Sequence, residues 1–508
     1  MRHLGILVAA CVLVAGPSAV AAAQDDKSVD VESMTVNELV DVLQDRRNPW
    51  TDRACTVGVP VHAELNKRIP GRDFIQSGLL LAEALCADEN DEYALGAAKV
   101  AELEALSPEQ DFTGLGLYFA RQSEDAPAAL ERLRGLTDKQ MSGLGREQLW
   151  AVGRMLNEQG TTTEYEALAL HWANSGKLGL FDIDLQSSLA RNALISASAS
   201  DETVNVDGML ALIRRPRSYT DMLADRRLEP FWPQIEERAG VGLTAITAEF
   251  SDWALARLDT NEGDRDRFSD AAHALHFEGR FDEAVKLAQS WRNKQDDLDT
   301  IKEGDGWALN IQAYAYDALG ETDKADAVFD ALAAIDYEEN YWVVNFVINR
   351  ASRLIGRGRW EEGLEAAKLA REVAKENGSP YAKMIVAEDH ACALTKLGRD
   401  AEAEAELEYL RENWKDSATL AASGLMCAGK RDEAASLVRT AIADERYRDG
   451  VIGNLQADKF ELFYAPSILP GINDLLSDYP ELRADFEKYA RAIPDEYTPA
   501  AHGLRKDT

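Results

Sequence analysis

LHFEGRFDEAVKLA (275–288), AYDALGETDKADAVF (315–329), GRGRWEEGLEAAKLA (356–370) and LTKLGRDAEAEAEL (394–407) are four renderings of one stretch. Each turns on a glycine, at Gly279, Gly320, Gly358 and Gly398, and Gly429 supplies a fifth. Seven residues before these glycines stand Ala272, Ala313, Ala351, Ala391 and Ala422. Four before stand Leu275, Tyr316, Leu354, Leu394 and Leu425. Five after come Ala284, Ala325, Gly363, Ala403 and Ala434. Nine after are Ala288, Phe329, Ala367, Leu407 and Val438, and twelve after are Trp291, Leu332, Ala370, Leu410 and Ala441. A glycine closes a helix in the left-handed conformation at little cost because it lacks a Cβ. Apolar residues three and four apart make the buried face of a helix, and small ones let paired helices approach closely. One such pair cannot bury its own apolar face, so neighbours stack into a continuous core. The intervals between the glycines are 41, 38, 40 and 31 residues, each one helical hairpin long.

The stretch resembles the tetratricopeptide repeat family, whose signature is a small and a large residue in the first helix, a turn glycine, and a small alanine in the second. The family period is about 34; these intervals depart from it, and the closing proline is mostly missing. The resemblance covers about a third of the chain. It implies an all-α superhelix, a solenoid of helical hairpins, and a mode of binding rather than a chemistry. In such proteins the first helices line a concave groove at set distances before the turn glycine. Those places are Asp266, Ser269, His273, His276 and Phe277, then Trp307, Asn310 and Tyr314, then Asn345. The same count also lands on Ala318, Asp317, Gly356, Ile355, Ser352 and Ile348. Aromatic, imidazole and amide groups suit an extended peptide, with rings supplying apolar area and amides bonding to backbone. The lysines with which chaperone-binding relatives clamp a terminal carboxylate are missing from these places.

Residues 1–23 read as a secretory leader: Arg2 and His3, an apolar run to Ala15, then small residues to the A-x-A site Ala21-Ala22-Ala23. Val8-Ala9-Ala10-Cys11 is a rival, lipobox-like cleavage site. No later stretch reaches the roughly 18 apolar residues of a membrane span. Export to an oxidising compartment, the periplasm by expectation, bears on Cys55, Cys86, Cys392 and Cys427. Proximity favours Cys55–Cys86 and Cys392–Cys427; four buried thiols are the alternative. No CxxC occurs. The formal net charge of −34 becomes −35 once Arg2 leaves with the leader. So acidic a surface repels nucleic acid and anionic membrane faces.

Around the repeats, residues 24–33 read as a disordered polar tail and 34–200 as degenerate helical repeats, opened by a capping box at Thr35 and Glu38. Residues 201–265 read as an irregular junction, because Pro216, Pro230 and Pro233 interrupt it. The repeats proper are 266–445, and 446–508 hold capping helices and a loose tail after Pro494. The junction gathers Arg214, Arg215, Arg217, Arg226 and Arg227 within fourteen residues, with Tyr219 among them. Arginine forks suit carboxylate or phosphate, either on an anionic ligand or on the protein itself.

No HExxH, GxSxG, GxxxxGK or strand-borne GxGxxG occurs. His273 and His276, three apart on one helix, could share a metal, but a packed pair is the plainer reading. The sequence therefore calls for no catalytic residue, metal or cofactor. It reads as an exported scaffold for a protein or peptide partner, with a binding protein or enzyme for an anionic small ligand at the junction as the second reading.

Overall fold

The computed structural model describes residues 29–200, 202–258, 266–292, 298 and 301–506; the expected leader lies outside them. The side chains of Asp184, Asp266, Trp291, Arg292 and Asn377 are likewise outside the description. Among the described residues the protein is all-α, with 27 α-helices and no strand. Helices pack on their neighbours in chain order, as in a solenoid. The chain divides into two compact units, 1–196 and 197–508.

In the first unit, Thr35 and Glu38 form the expected capping box on Val36–Gln44. Residues 29–33, expected in a disordered tail, are instead tied down: the Arg68 guanidinium donates to the carbonyls of Val31, Glu32 and Met34. Hairpins follow, Asp73–Glu89 with Tyr93–Leu106 and Arg146–Glu158 with Thr162–Asn174 among them. The second turns at Gly160, whose φ is 71°. Cys55 and Cys86 are joined in a disulfide with Cα atoms 4.6 Å apart. Beside it the Glu89 carboxylate accepts from the amides of Ala54 and Cys55.

The second unit opens with four short helices, Val206–Leu212, Pro216–Ala224, Trp232–Ala239 and Thr244–Leu258. The stretch read as irregular is thus largely helical. Pro216 and Pro233 sit in first turns, where a missing N–H costs nothing and the fixed φ suits the helix. Five hairpins then stack: Asp266–Phe277 with Phe281–Arg292, Glu303–Ala318 with Thr322–Ala333, Val344–Gly356 with Trp360–Asn377, Pro380–Lys396 with Asp400–Glu412, and Ala418–Cys427 with Arg431–Ala443.

The pattern that defined them is explained residue by residue. Each turn glycine has positive φ, 78° at Gly279 and 70–73° at the other four. The next residue's amide reaches back to the carbonyl five earlier, as in Arg280 to Leu275, Glu321 to Tyr316 and Arg399 to Leu394, satisfying a carbonyl that the helix end leaves open. Ala272, Ala313, Ala351, Ala391 and Ala422 are all fully buried. So are Leu332, Ala370, Leu410 and Ala441 twelve residues after their glycines, where each large side chain removed from water contributes about 1.5–3 kcal/mol.

Two devices lock neighbouring hairpins. Cys392 and Cys427 form a disulfide between the fourth and fifth first helices, Cα atoms 5.2 Å apart. Asp317, fully buried, accepts from Arg353 Nε at 2.6 Å and Nη2 at 2.7 Å and from Arg357 Nη2 at 2.9 Å. Arg353 and Arg359 also share Asp326. After Glu445–Ile452 the helix Pro480–Tyr489 packs on Arg431–Ala443, with Arg439 between Glu481 and Asp485. The tail expected to be loose is packed: Tyr497 and Ala501 are buried, and the Lys506 amide caps Ala318 O at 2.9 Å. Its apolar side chains find seats against the turn of the first hairpin, where Gly279 faces Ala501 and Leu504.

Candidate functional site

The first-helix face of the hairpins at Gly279, Gly320 and Gly358 is occupied by the chain itself. Residues 461–469 carry no helix or strand and lie across this face as an irregular strap. The strap is seated by one ring. Phe463 stands 5.1 Å from the His276 ring, 6.3 Å from His273 and 4.6 Å from Tyr314, edge-on to the tyrosine. Beneath it lie Ala272, Ala308 and Ile311, all fully buried; the small residues make room for the ring.

Two backbone bonds fix the strap along the hairpins. Tyr464 N–H donates to His276 Nε2 at 3.2 Å, and Ile468 N–H donates to Gly356 O at 2.7 Å, a carbonyl at a helix end. An accepting Nε2 puts the ring proton of a neutral His276 on Nδ1, which finds no hydrogen-bond partner among the described residues. Burial, then the Arg505 charge, depresses the His276 pKa to about 3, so the ring stays neutral. Burial likewise takes His273 down to about 4, against a bond to Ser269 O. Gly356 matters because a Cβ there would lie 2.7 Å from Pro466 O, inside any permissible contact.

The near end of the strap is held by two arginines. Arg505 Nη2 donates to Glu461 O at 2.8 Å and Leu462 O at 2.9 Å, and its guanidinium lies 5.0 Å over the Tyr464 ring. Arg217 Nη1 reaches both Glu461 carboxylate oxygens at 3.1 Å.

Of the nine places expected to line a groove, His273, His276 and Tyr314 do meet this strap. Phe277 does not: its ring stacks on Phe250 at 6.3 Å, because Thr244–Leu258 packs against that side of the first hairpin. Asn310 is buried and accepts from Asn349 Nδ2 at 3.1 Å, tying two hairpins together. Trp307 is edge-on to Phe346, and Asn345 bonds to Trp342 O in the short turn Tyr341–Val343 that precedes its helix. Ser269 bonds to His273, and Asp266 opens its helix. The strap residues themselves, with Arg505, were missed as site residues; Gly356 is among the places on which the groove count also lands. The one signal was that Leu462-Phe463-Tyr464 and Pro466 are apolar and aromatic where a surface connector is polar.

The junction arginines do not converge. Arg214 lies over the Trp253 ring at 5.7 Å, and Arg215 pairs with Asp270 at 3.4 Å. Arg217 holds Glu461, as described, while Arg226 donates to the carbonyls of Glu487 and Ala490. Arg227 sits between Asp225 and Asp449, and the buried Tyr219 hydroxyl donates to Leu210 O. Most of this basic cluster is thus spent on the protein's own oxygen atoms.

Further along the same face, Ser352 Oγ donates to Asp389 at 2.8 Å. Burial pushes Glu388 up to about 7, and burial together with the Glu388 charge holds Asp389 well above the usual carboxylate range. Among the described residues no group of three or more His, Cys, Asp or Glu side chains could hold a metal ion, and no helix is long and apolar enough to cross a membrane. No protein-family model matches the chain, and no curated protein sequence matches it.

Proposed function

We propose that this protein is an exported, tetratricopeptide-like scaffold that holds an extended segment of a protein or peptide partner on its first-helix face and performs no chemistry of its own. The observation that supports this reading is the seat just described. The face accepts a non-helical segment, orders it by backbone bonds at His276 and Gly356, and takes one aromatic ring between two helices. Backbone bonding with one seated ring, here the half-buried Phe463, is how extended peptides are recognised. Export rests on the leader sequence at 1–23 and agrees with two disulfides, bonds that persist in oxidising compartments. No comparable observation favours the anion-binding alternative at the junction arginines.

The test is recovery of partners from the native host with the mature chain, in parallel with His276→Ala and Tyr314→Ala. Loss of a specific partner from both variants, with folding intact by circular dichroism, is the expected result. An unchanged partner set would refute the reading.

A further inference from the structure

We infer that residues 461–469 are an exchangeable occupant of this seat, and that the partner is an extended segment that seats one aromatic residue. The inference rests on the peptide-scaffold reading above and names its partner class. Three observations carry it.

First, the polar contacts on the strap are almost all to its backbone. His276 takes the Tyr464 amide, Gly356 takes the Ile468 amide, and Arg505 takes the carbonyls of Glu461 and Leu462. Such bonds do not depend on which side chains the segment carries. Among contacts to the strap's side chains, Arg505 lies 5.0 Å over the Tyr464 ring, and Arg217 with Glu461 joins two side chains that are 54% and 43% exposed, a pair that contributes little.

Second, selectivity resides in one shape. Phe463 sits in the seat walled by His273, His276 and Tyr314 over two alanines, whereas at Gly356 it is the backbone carbonyl of Pro466 that comes close, 2.7 Å from where a Cβ would stand. These two features define the segment that fits: an aromatic residue on an extended backbone that passes close over Gly356.

Third, the grip weakens along the strap. Leu462 and Tyr464 are buried, but Ala465, Ser467 and Ile468 are exposed, Ile468 to 70% despite being apolar. The bond from Ile468 to Gly356 is the described backbone link to the hairpins over this half. The strap can therefore peel from the Ile468 end while Arg505 still holds Glu461.

A tethered segment competes at an effective concentration of about 1 mM, so a free peptide of about 10 µM intrinsic affinity is weakened about 100-fold while the strap is in place. The experiment uses the full mature, oxidised chain and a fluorescent peptide of residues 460–470. Phe463→Ser combined with Ile468→Ser weakens the strap and leaves the seat intact. Amide hydrogen exchange of 461–469 reports release, and anisotropy reports binding. The expected result is peptide binding about 100-fold tighter to this variant than to the parent. Adding Gly356→Ala, whose Cβ would meet the backbone at the place of Pro466 O, should abolish it, and a peptide with its Phe replaced by Ser should bind at least tenfold more weakly. If the double variant does not fold, Phe463→Ser alone, which leaves His276, Gly356 and Arg505 intact, takes its place.

Strap release without tighter peptide binding overturns the inference. If a host partner then still binds through His276 and Tyr314, the scaffold reading survives alone. If neither peptide nor host partner binds the opened protein, both fall.

Discussion

Arg353→Met should be among the most damaging single changes in the repeat region. Arg353 is 3% exposed and Asp317 is fully buried, joined by two charge-assisted bonds of 2.6 and 2.7 Å between the hairpins at Gly320 and Gly358. Removing the guanidinium leaves Asp317 with Arg357 alone, at 2.9 Å, and strips one partner from Asp326. Breaking a buried pair from one side costs about 3–5 kcal/mol, because a desolvated charge is left behind. The retained Arg357 places the expected cost near the lower end, about 3 kcal/mol. Taking both members away, as Asp317→Leu with Arg353→Met, removes the stranded charge and should return the protein to within about 1–2 kcal/mol of the parent. Native-state amide exchange on Val344–Gly356 measures this hairpin without assuming that the whole chain unfolds in one step. A single-variant cost below about 1 kcal/mol would refute the argument, as would a double variant as unstable as the sum of its parts.

Three further outcomes are expected. The depressed His276 pKa, about 3, means the unfolded chain binds the extra proton below about pH 6.5. Its contribution is therefore complete above that pH and is lost as the pH falls toward 3, at up to about 1.4 kcal/mol per pH unit. His276→Gln should flatten the fall in urea midpoint between pH 7 and 4.5, and an unaltered slope would tell against it. Glu388 has the opposite sign: its raised pKa, about 7, makes the folded unit less stable as the pH rises through that value. Glu388→Gln should raise Tm at pH 8 and leave it unchanged at pH 5; equal effects at both would show that the carboxylate is not desolvated. Reducing Cys392–Cys427, which spans 35 residues, should cost about 3–4 kcal/mol by loop entropy. A Cys392→Ala, Cys427→Ala variant whose unfolding midpoint is unchanged would show that the bond adds nothing.

The hairpins were legible before any coordinates because their determinants are local. Gly279 and its four counterparts need left-handed backbone, Ala272 and its counterparts need close helix approach, and both requirements recur at one repeat length. The two disulfides could be read for the same reason, since their partners stand 31 and 35 residues apart, about one hairpin along the stack. The capping box at Thr35 and Glu38 is a four-residue matter. Of the places that the groove count gave, His273, His276 and Tyr314 lie against the strap.

What the sequence alone determined is thus the all-α stack of hairpins; it favoured the pairing of the cysteines by proximity and left four buried thiols open. Tertiary structure decided what fills the first-helix face, which way Phe277 turns and where the junction arginines go. The bond from Tyr464 to His276 joins residues 188 apart and that from Arg217 to Glu461 joins residues 244 apart. Periodicity records what each helix must bury against its neighbour, and it is silent on a connector that returns from the far end of the chain to lie where a partner would.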